Sequence, residues 1–382
     1  MLTPDRVVVG NRFEQPTSSS LRKFLVGSET DRGSGWFPAY VAFKNAKQSF
    51  AKWLDTMNGG LEAIWADWLG DIHAFASTYV RARDSQTLPC LVVVPSQSLA
   101  PIPLHAAWRR VDGRVRYWCD DFIISYAPTL PVLGQSLQRR DGDSAKGLLA
   151  VANPHGDLRW SLPEVEAVAA GFSDEEKDIL GPPGNDRGFA VATVANVTHA
   201  LANSYRLVLL SCHGTWNAAD PWSGAGFFLS GADRRPNLSL DALLSGSLSG
   251  CELAVLSACE SGMTEPTDPA EEYIGLPAAL IVAGAASVIA SLWIVDDVST
   301  ALLVTHTLKE ASARKRLEPA ARLHEAQLWL RTATVKQVTT AIESITSSSK
   351  IADQTITALA ERGDIPFSHP FWWAALTCIG SP

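Results

Sequence analysis

Arg206-Leu-Val-Leu-Leu-Ser-Cys-His213-Gly214 is an apolar run that ends abruptly in a histidine and a glycine. A second run, Cys251-Glu-Leu-Ala-Val-Leu-Ser-Ala-Cys259-Glu-Ser-Gly262, ends the same way, with a cysteine where the first has its histidine. Short, fully apolar segments of this kind read as strands of a parallel sheet buried on both faces. In open sheets of that type, ligand sites form at the carboxyl ends of the strands. The spacing of 46 residues from His213 to Cys259 is enough for one strand, one helix and the connecting loops, which is the crossover that parallel neighbours need. Two adjacent strands would then present an imidazole and a thiol at one sheet edge.

The same alternation continues outward in both directions. Strands are predicted at Leu91–Pro95, Phe122–Ala127, Gly147–Ala152, Arg206–Cys212, Leu253–Ala258, Ser287–Val295 and Trp372–Gly380. Helices are predicted at Lys44–Tyr79, Pro163–Phe172, Phe189–Ala202, Gly275–Gly284, Val298–Ala311 and Pro319–Thr332. Val335 to Gly363 reads as one or two further helices. This pattern defines an α/β fold with a mostly parallel sheet flanked by helices. Leu276 to Val295 holds twenty residues without a charge, the length of a membrane span. It nevertheless divides into a short helix closed by Gly284 and a β-branched strand, so no membrane segment is expected. Polar, turn-rich stretches at 141–146 and 181–188 mark loops. The first sets an expected boundary between an N-terminal region, 1–140, and a second domain, 141–382.

Composition narrows the function classes. The chain has 382 residues, 46% of them hydrophobic and 19% charged, and is long enough for a sizeable core. A formal charge of −8 without any Lys/Arg run opposes direct nucleic-acid binding. The charged N-terminus lacks the apolar stretch of a secretory signal, so a cytoplasmic location is expected. Six cysteines form no C-x-x-C pair and read as reduced thiols. His73, His105, His155, His199, His306, His324 and His369 form no metal-like cluster. No P-loop, G-x-S-x-G or G-x-G-x-x-G is present, and neither metal nor cofactor is expected.

The chemistry therefore rests on Cys259 and His213. A thiol with its ordinary pKa of about 8.5 is mostly protonated at neutral pH and needs a partner to take its proton. Histidine is the side chain suited to that work. Gly214, lacking a Cβ, lets its amide approach a ligand, and with the Cys259 amide it would form an oxyanion hole. Trp216 and Trp222 follow His213 and would either wall an apolar subsite or pack beneath their loop. Glu260, Glu265, Asp268, Glu271 and Glu272 follow Cys259 with no basic residue between them. Such a run is ordinarily a solvated loop, but beside a thiol it would raise the pKa and restrain the nucleophile. Asp296 and Asp297 end an apolar run and would be either an exposed strand end or part of a substrate pocket.

Ser257-Ala-Cys-Glu-Ser-Gly262 is close to the Q-A-C-x-G signature of caspases. Five further pieces keep one order along the chain. They are Leu91-Val-Val-Val-Pro-Ser-Gln-Ser-Leu-Ala-Pro-Ile-Pro-Leu-His105, Phe122-Ile-Ile-Ser-Tyr-Ala-Pro-Thr-Leu130, Ser211-Cys-His-Gly214, Ala283-Gly-Ala-Ala-Ser-Val-Ile-Ala-Ser-Leu-Trp-Ile-Val-Asp-Asp297 and His369-Pro-Phe-Trp-Trp-Ala-Ala-Leu376. Together they resemble the CHAT family of peptidases, relatives of caspases, gingipains and separase. The resemblance implies a caspase-like fold with a non-catalytic pseudo-protease half before about residue 140. It implies a Cys259–His213 dyad that cleaves peptide bonds in a protein substrate, with Gly214 in the oxyanion hole. Asp297 aligns with the separase aspartate that recognises a basic P1 side chain, and Asp296 stands beside it. Family members are commonly gated by sensors, which implies a regulatory partner in a separate chain and a role in bacterial defence or cell death. The chain departs from the commoner pattern at Cys212, which adds a thiol before His213. Two other readings stay open: a catalytically silent scaffold, and a redox sensor pairing Cys259 with Cys212 or Cys251.

Overall fold

Leu207 to Leu210, Leu148 to Ala152 and Leu253 to Leu256 are all buried. Strands buried on both faces belong in the middle of a helix-covered parallel sheet. That is where the computed structural model places them. It describes residues 2–3, 6–7, 18–28, 34–46, 50–80, 88–139, 146–217, 220, 222–263 and 275–382. By its internal contacts the chain forms two compact units, one of residues 1–91 with 103–123, the other of 92–102 with 124–382.

In the first unit the helix predicted at Lys44–Tyr79 is two. Trp36–Ala46 is followed by Phe50–Ile64, which continues through a π-helical turn at Trp65–Leu69 into Gly70–Tyr79. Trp53 is 1% exposed and meets the rings of Trp36 and Tyr40 at 5.1 and 5.4 Å. A hairpin, Trp108–Val111 with Arg114–Tyr117, turns on Asp112 and Gly113. Both have positive φ, 51° and 77°, as a two-residue hairpin turn requires.

The large sheet contains β1 (Cys90–Val93), β2 (Ile123–Tyr126), β3 (Lys146–Ala152), β4 (Lys177–Gly181), β5 (Ala190–Val191) and β6 (Tyr205–Ser211). A small sheet follows, of β7 (His213–Thr215), β8 (Gly226–Phe228) and β9 (Leu238–Ser239). The large sheet then resumes with β10 (Leu253–Ser257), β11 (Ser287–Ser291) and β12 (Leu376–Gly380). Its order is β1-β2-β12-β11-β10-β6-β3-β4-β5. From β11 to β5 every pair is parallel, and β12 runs antiparallel to β11. The helices that matter below are α1 (Ser161–Ala169), α2 (Val194–Leu201), α3 (Leu276–Ala283), α4 (Asp297–Thr307) and α5 (Pro319–Thr332).

Four expectations are corrected. The strand predicted to Val295 stops at Ser291, because the Ser291 amide and carbonyl turn to Ser261 and Gly262. Trp372–Gly380 is a strand only from Leu376, since Pro370–Trp373 is a short helix whose Phe371 amide donates to His369 Nδ1. The helix predicted from Phe189 begins at Val194, after β5 and a Thr193 N-cap. Lys177–Gly181 is an unexpected strand toward the sheet margin. The stretch from Val335 to Gly363 holds two helices, Val335–Ile345 and Ser349–Ala360. The expected boundary near 141 falls on residues outside those described.

Candidate active site

β6 and β10 are paired in parallel with Ser211 opposite Ser257, the last residue of each. His213 and Cys259 both lie two residues further on. One register therefore carries the imidazole and the thiol to the same edge of the sheet. Beyond the strand end, His213 opens β7, which pairs with β8 through His213 opposite Phe228 and Gly214 opposite Phe227. The histidine is thus held by a second, small sheet and not by a loose loop. Its side chain is 41% exposed.

A residue outside the sequence motifs completes its surroundings. His213 Nε2 lies 3.0 Å from each carboxylate oxygen of Asp157. Asp157 sits in the loop after β3, and Asn153 builds that loop. Its backbone is left-handed at φ 45°. Its Oδ1 accepts from the amides of Asp157 and Leu158 at 3.0 Å, and its Nδ2 donates to the Leu158 carbonyl at 2.9 Å. The Asn153 amide donates to the Ser211 carbonyl at 2.9 Å. An asparagine that folds its own loop by such bonds is a known turn device. Here it is tied to the strand that carries the histidine. His155, from the same loop, places its ring 6.1 Å from that of His213.

The turn bearing Cys259 is fixed from the other side. Glu260 takes φ 55°, and Met263 donates to its carbonyl at 3.1 Å. The Ser291 hydroxyl donates to the Ala258 carbonyl at 2.6 Å, and the Ser291 amide to Ser261 Oγ at 3.0 Å. The Gly262 amide donates to the Ser291 carbonyl at 2.7 Å. The end of β11 thus anchors the turn on both sides of the thiol. Cys259 itself is half-buried.

Gly214 is where the two tips meet. A Cβ there would lie 3.0 Å from both the Ala258 Cβ and the Cys259 carbonyl oxygen. Space, not backbone conformation, demands the glycine. We expect Gly214→Ala to cost about 1–3 kcal/mol of stability by overpacking, measured by urea unfolding, and to lower the reactivity of Cys259 in the folded fraction.

The two neighbouring aspartates are used differently. Asp296 caps α4, its Oδ1 accepting from the Ser299 amide at 3.0 Å, and its Oδ2 is 3.6 Å from Arg362. Asp297 is the first residue of α4. Burial raises its pKa, with Asp296 and Asp157 acting the same way and His213 and Arg159 opposing. Its carboxyl therefore shares the electrostatic surroundings of His213 and Asp157, while that of Asp296 is committed to a cap and an ion pair.

Sequence reading also missed Glu164, in the first turn of α1. It is 2% exposed, and burial pushes its pKa up to about 8, the Ser257 and Ser211 hydroxyls pulling it down and Asp297 pushing it further up. Glu260 is buried, unlike a residue of a solvated loop. Glu265, Asp268, Glu271 and Glu272 lie outside the described residues. The Trp216 indole N–H is buried without a partner among the described residues, and Trp222 is half exposed. Cys212 and Cys251 are buried thiols. Burial raises both pKa values, Cys212 further through Glu164 and Cys251 to about 12. Among the described residues there is no group of three or more potential metal ligands, and no helix is long and apolar enough to cross a membrane.

Fold and edge together define a class, an open and mostly parallel α/β protein with an imidazole and a thiol on adjacent strand ends. The sequence profile of the CHAT domain matches residues 66–381, and the chain belongs to that family. Among solved structures the chain is similar to the Arg-specific cysteine proteinase gingipain R, with 13% identity and a TM-score of 0.40 over 69% of this chain and 55% of that one. It is also similar to the Saccharomyces cerevisiae separase–securin complex, with 10% identity and a TM-score of 0.47 over 93% of this chain and 26% of that one. The chain thus spans little more than half the length of the gingipain. No curated protein sequence matches.

Proposed function

We propose that the chain is a cysteine endopeptidase with Cys259 as nucleophile and His213 as general base. The observation that carries this reading is the shared register of the two strand ends, which brings thiol and imidazole to one edge, while Asp157 engages Nε2 of the ring. A carboxylate only accepts, so Nε2 carries the proton toward Asp157 and Nδ1 is left with its lone pair for the thiol. Asp157 acts as a positioning residue that fixes tautomer and ring orientation.

The thiolate attacks the scissile carbonyl carbon, and the Gly214 and Cys259 amides receive the charge that develops on oxygen. The C–N bond then breaks, His213 returns its proton to the leaving amine, and the acyl group stays on sulfur. Water, losing a proton to His213, attacks the thioester and releases the acid and the thiolate. Asp297 supplies a carboxylate beside this centre and favours a basic P1 side chain. Asp297→Ala should lower kcat/KM for an Arg-P1 peptide by about 10- to 100-fold, the worth of one charged hydrogen bond. An Ala-P1 control should be unchanged, and equal loss on both peptides would dissociate Asp297 from the P1 subsite.

The acidic segment after Cys259, Glu260 included, is proposed to restrain the thiol until a regulatory protein from a separate chain engages it, in a bacterial defence or cell-death setting. The buried, protonated state of Cys212 and Cys251 gives the redox reading no support. The deciding experiment identifies new protein N-termini in cells expressing wild type or Cys259→Ala with the neighbouring gene products present. Termini that need Cys259 establish the peptidase. Their absence, together with no labelling of Cys259 by a peptidyl electrophile, would establish the silent scaffold.

A further inference from the structure

Glu164 reaches from α1 into the layer beneath the two strand ends. Its Oε2 accepts a hydrogen bond from the Ser257 hydroxyl at 2.9 Å, and the nearby Ser211 hydroxyl acts with Ser257 to lower its pKa against the larger effect of burial. Those serines are the paired last residues of β10 and β6, each two residues before a member of the dyad. A second residue of the same helix turn, Ser161, donates to the Ser211 carbonyl at 2.7 Å. One turn of α1 therefore holds both strand ends at their last ordered pair, Glu164 at Ser257 and Ser161 at Ser211.

The carboxyl is also only half used. Its Oε1 is buried with no hydrogen-bond partner among the described residues. An ionised carboxylate in that position would be left uncompensated, whereas a neutral acid tolerates it. The titratable group that acts on it is Asp297 from α4, and Glu164 in turn acts on the Cys212 thiol, one residue past the end of β6. Neither is a cation, and Asp297 opposes a second negative charge there.

We infer that Glu164 is a positioning residue whose carboxyl, with Ser161 of the same helix turn, fixes the ends of β10 and β6 side by side, so that His213 meets Cys259. The inference rests on reading those two residues as a catalytic pair. It separates Glu164 from Asp157: one sets the distance between the tips, the other the orientation of the ring. Ionisation of Glu164 would place a charge between the two serines and beside Asp297, and would loosen the grip.

Iodoacetamide alkylation of Cys259 with the neighbouring gene products present, followed by mass spectrometry of the tryptic peptide between about pH 6 and pH 10, reads the thiol without any substrate. Four proteins are compared: wild type, Glu164→Gln, Glu164→Ala and His213→Ala. At neutral pH wild type and Glu164→Gln should react alike. Glu164→Ala and His213→Ala should be about 10- to 30-fold slower, as for a thiol returned to its ordinary pKa. Wild type should show a second inflection near pH 8, and Glu164→Gln should lose it. The inference is overturned if that inflection persists in Glu164→Gln, or if Glu164→Gln is as slow as Glu164→Ala. Should Glu164→Ala fail to fold, the inflection alone decides. A His213→Ala protein that reacts as fast as wild type would instead sink the catalytic pair itself, whatever Glu164 does.

Discussion

Cys259→Ala is expected to lower kcat for peptide hydrolysis by on the order of 10⁶-fold, with His213→Ala close behind and the double variant no worse than either single one. Non-additivity is the informative part. Residues that act as one unit lose the whole mechanism when either is removed, whereas independent binding residues lose their contributions separately. Turnover of a fluorogenic peptide by the activated protein provides the measurement, with Cys212→Ala as the control. Cys212 is buried beside Glu164 and held protonated, so its removal should leave kcat within a few fold. Multiplying losses in the double variant would break the dyad, and loss of turnover in Cys212→Ala would bring the second thiol into the chemistry.

The second large effect is on stability and runs opposite to the usual expectation for a hydrogen-bonded carboxylate. Glu164 has its pKa raised from about 4.5 to about 8 in the folded protein. Below pH 4.5 both folded and unfolded chains carry the proton, and the group is neutral to stability. Between the two values the unfolded chain releases the proton while the folded one retains it. Folded protein then binds more protons, and stability falls as pH rises through this window. At about 1.4 kcal/mol per pKa unit, the loss reaches about 3–5 kcal/mol by pH 8. Glu164→Gln, which cannot ionise, should therefore be more stable than wild type by about that amount at pH 8 and nearly equal to it at pH 4. Urea unfolding across this range measures the difference, and a constant gap would show that Glu164 does not titrate as its burial dictates.

Much of the fold could be read from apolar runs, because the central strands are buried on both faces and keep their polar residues, such as Arg206, Ser211 and Ser257, at or next to their ends. Lys177–Gly181 escaped because a strand toward the sheet margin keeps charged residues, Lys177 and Asp178, where the central ones keep leucine. The candidate pair, His213 and Cys259, was legible as residue types that are rare at a strand end. Asp157 was not legible, since a lone aspartate in a loop has no distinguishing mark. Asn153-Pro-His-Gly-Asp157 did carry a signal in its asparagine, which belongs to turns that bond their own backbone. Glu164 carried none. In sequence it looks like its neighbour Glu166, an acid in the first half of a helix, yet Glu166 pairs with Arg187 at 2.7 Å on the surface. Only the sheet above α1 tells the two apart.

The anchoring of the Cys259 turn to β11 has a consequence for how the chain can be handled. Ser261, Gly262 and Ser291 complete their bonds before Met263 is passed, and β10 and β11 are held by their own ladder. These bonds around the thiol are all made by Ala258, Ser261, Gly262 and Ser291, on the two sides of the stretch between Met263 and α3. The gene could be divided there and the two pieces produced separately, with the sheet itself as the splice that reunites them.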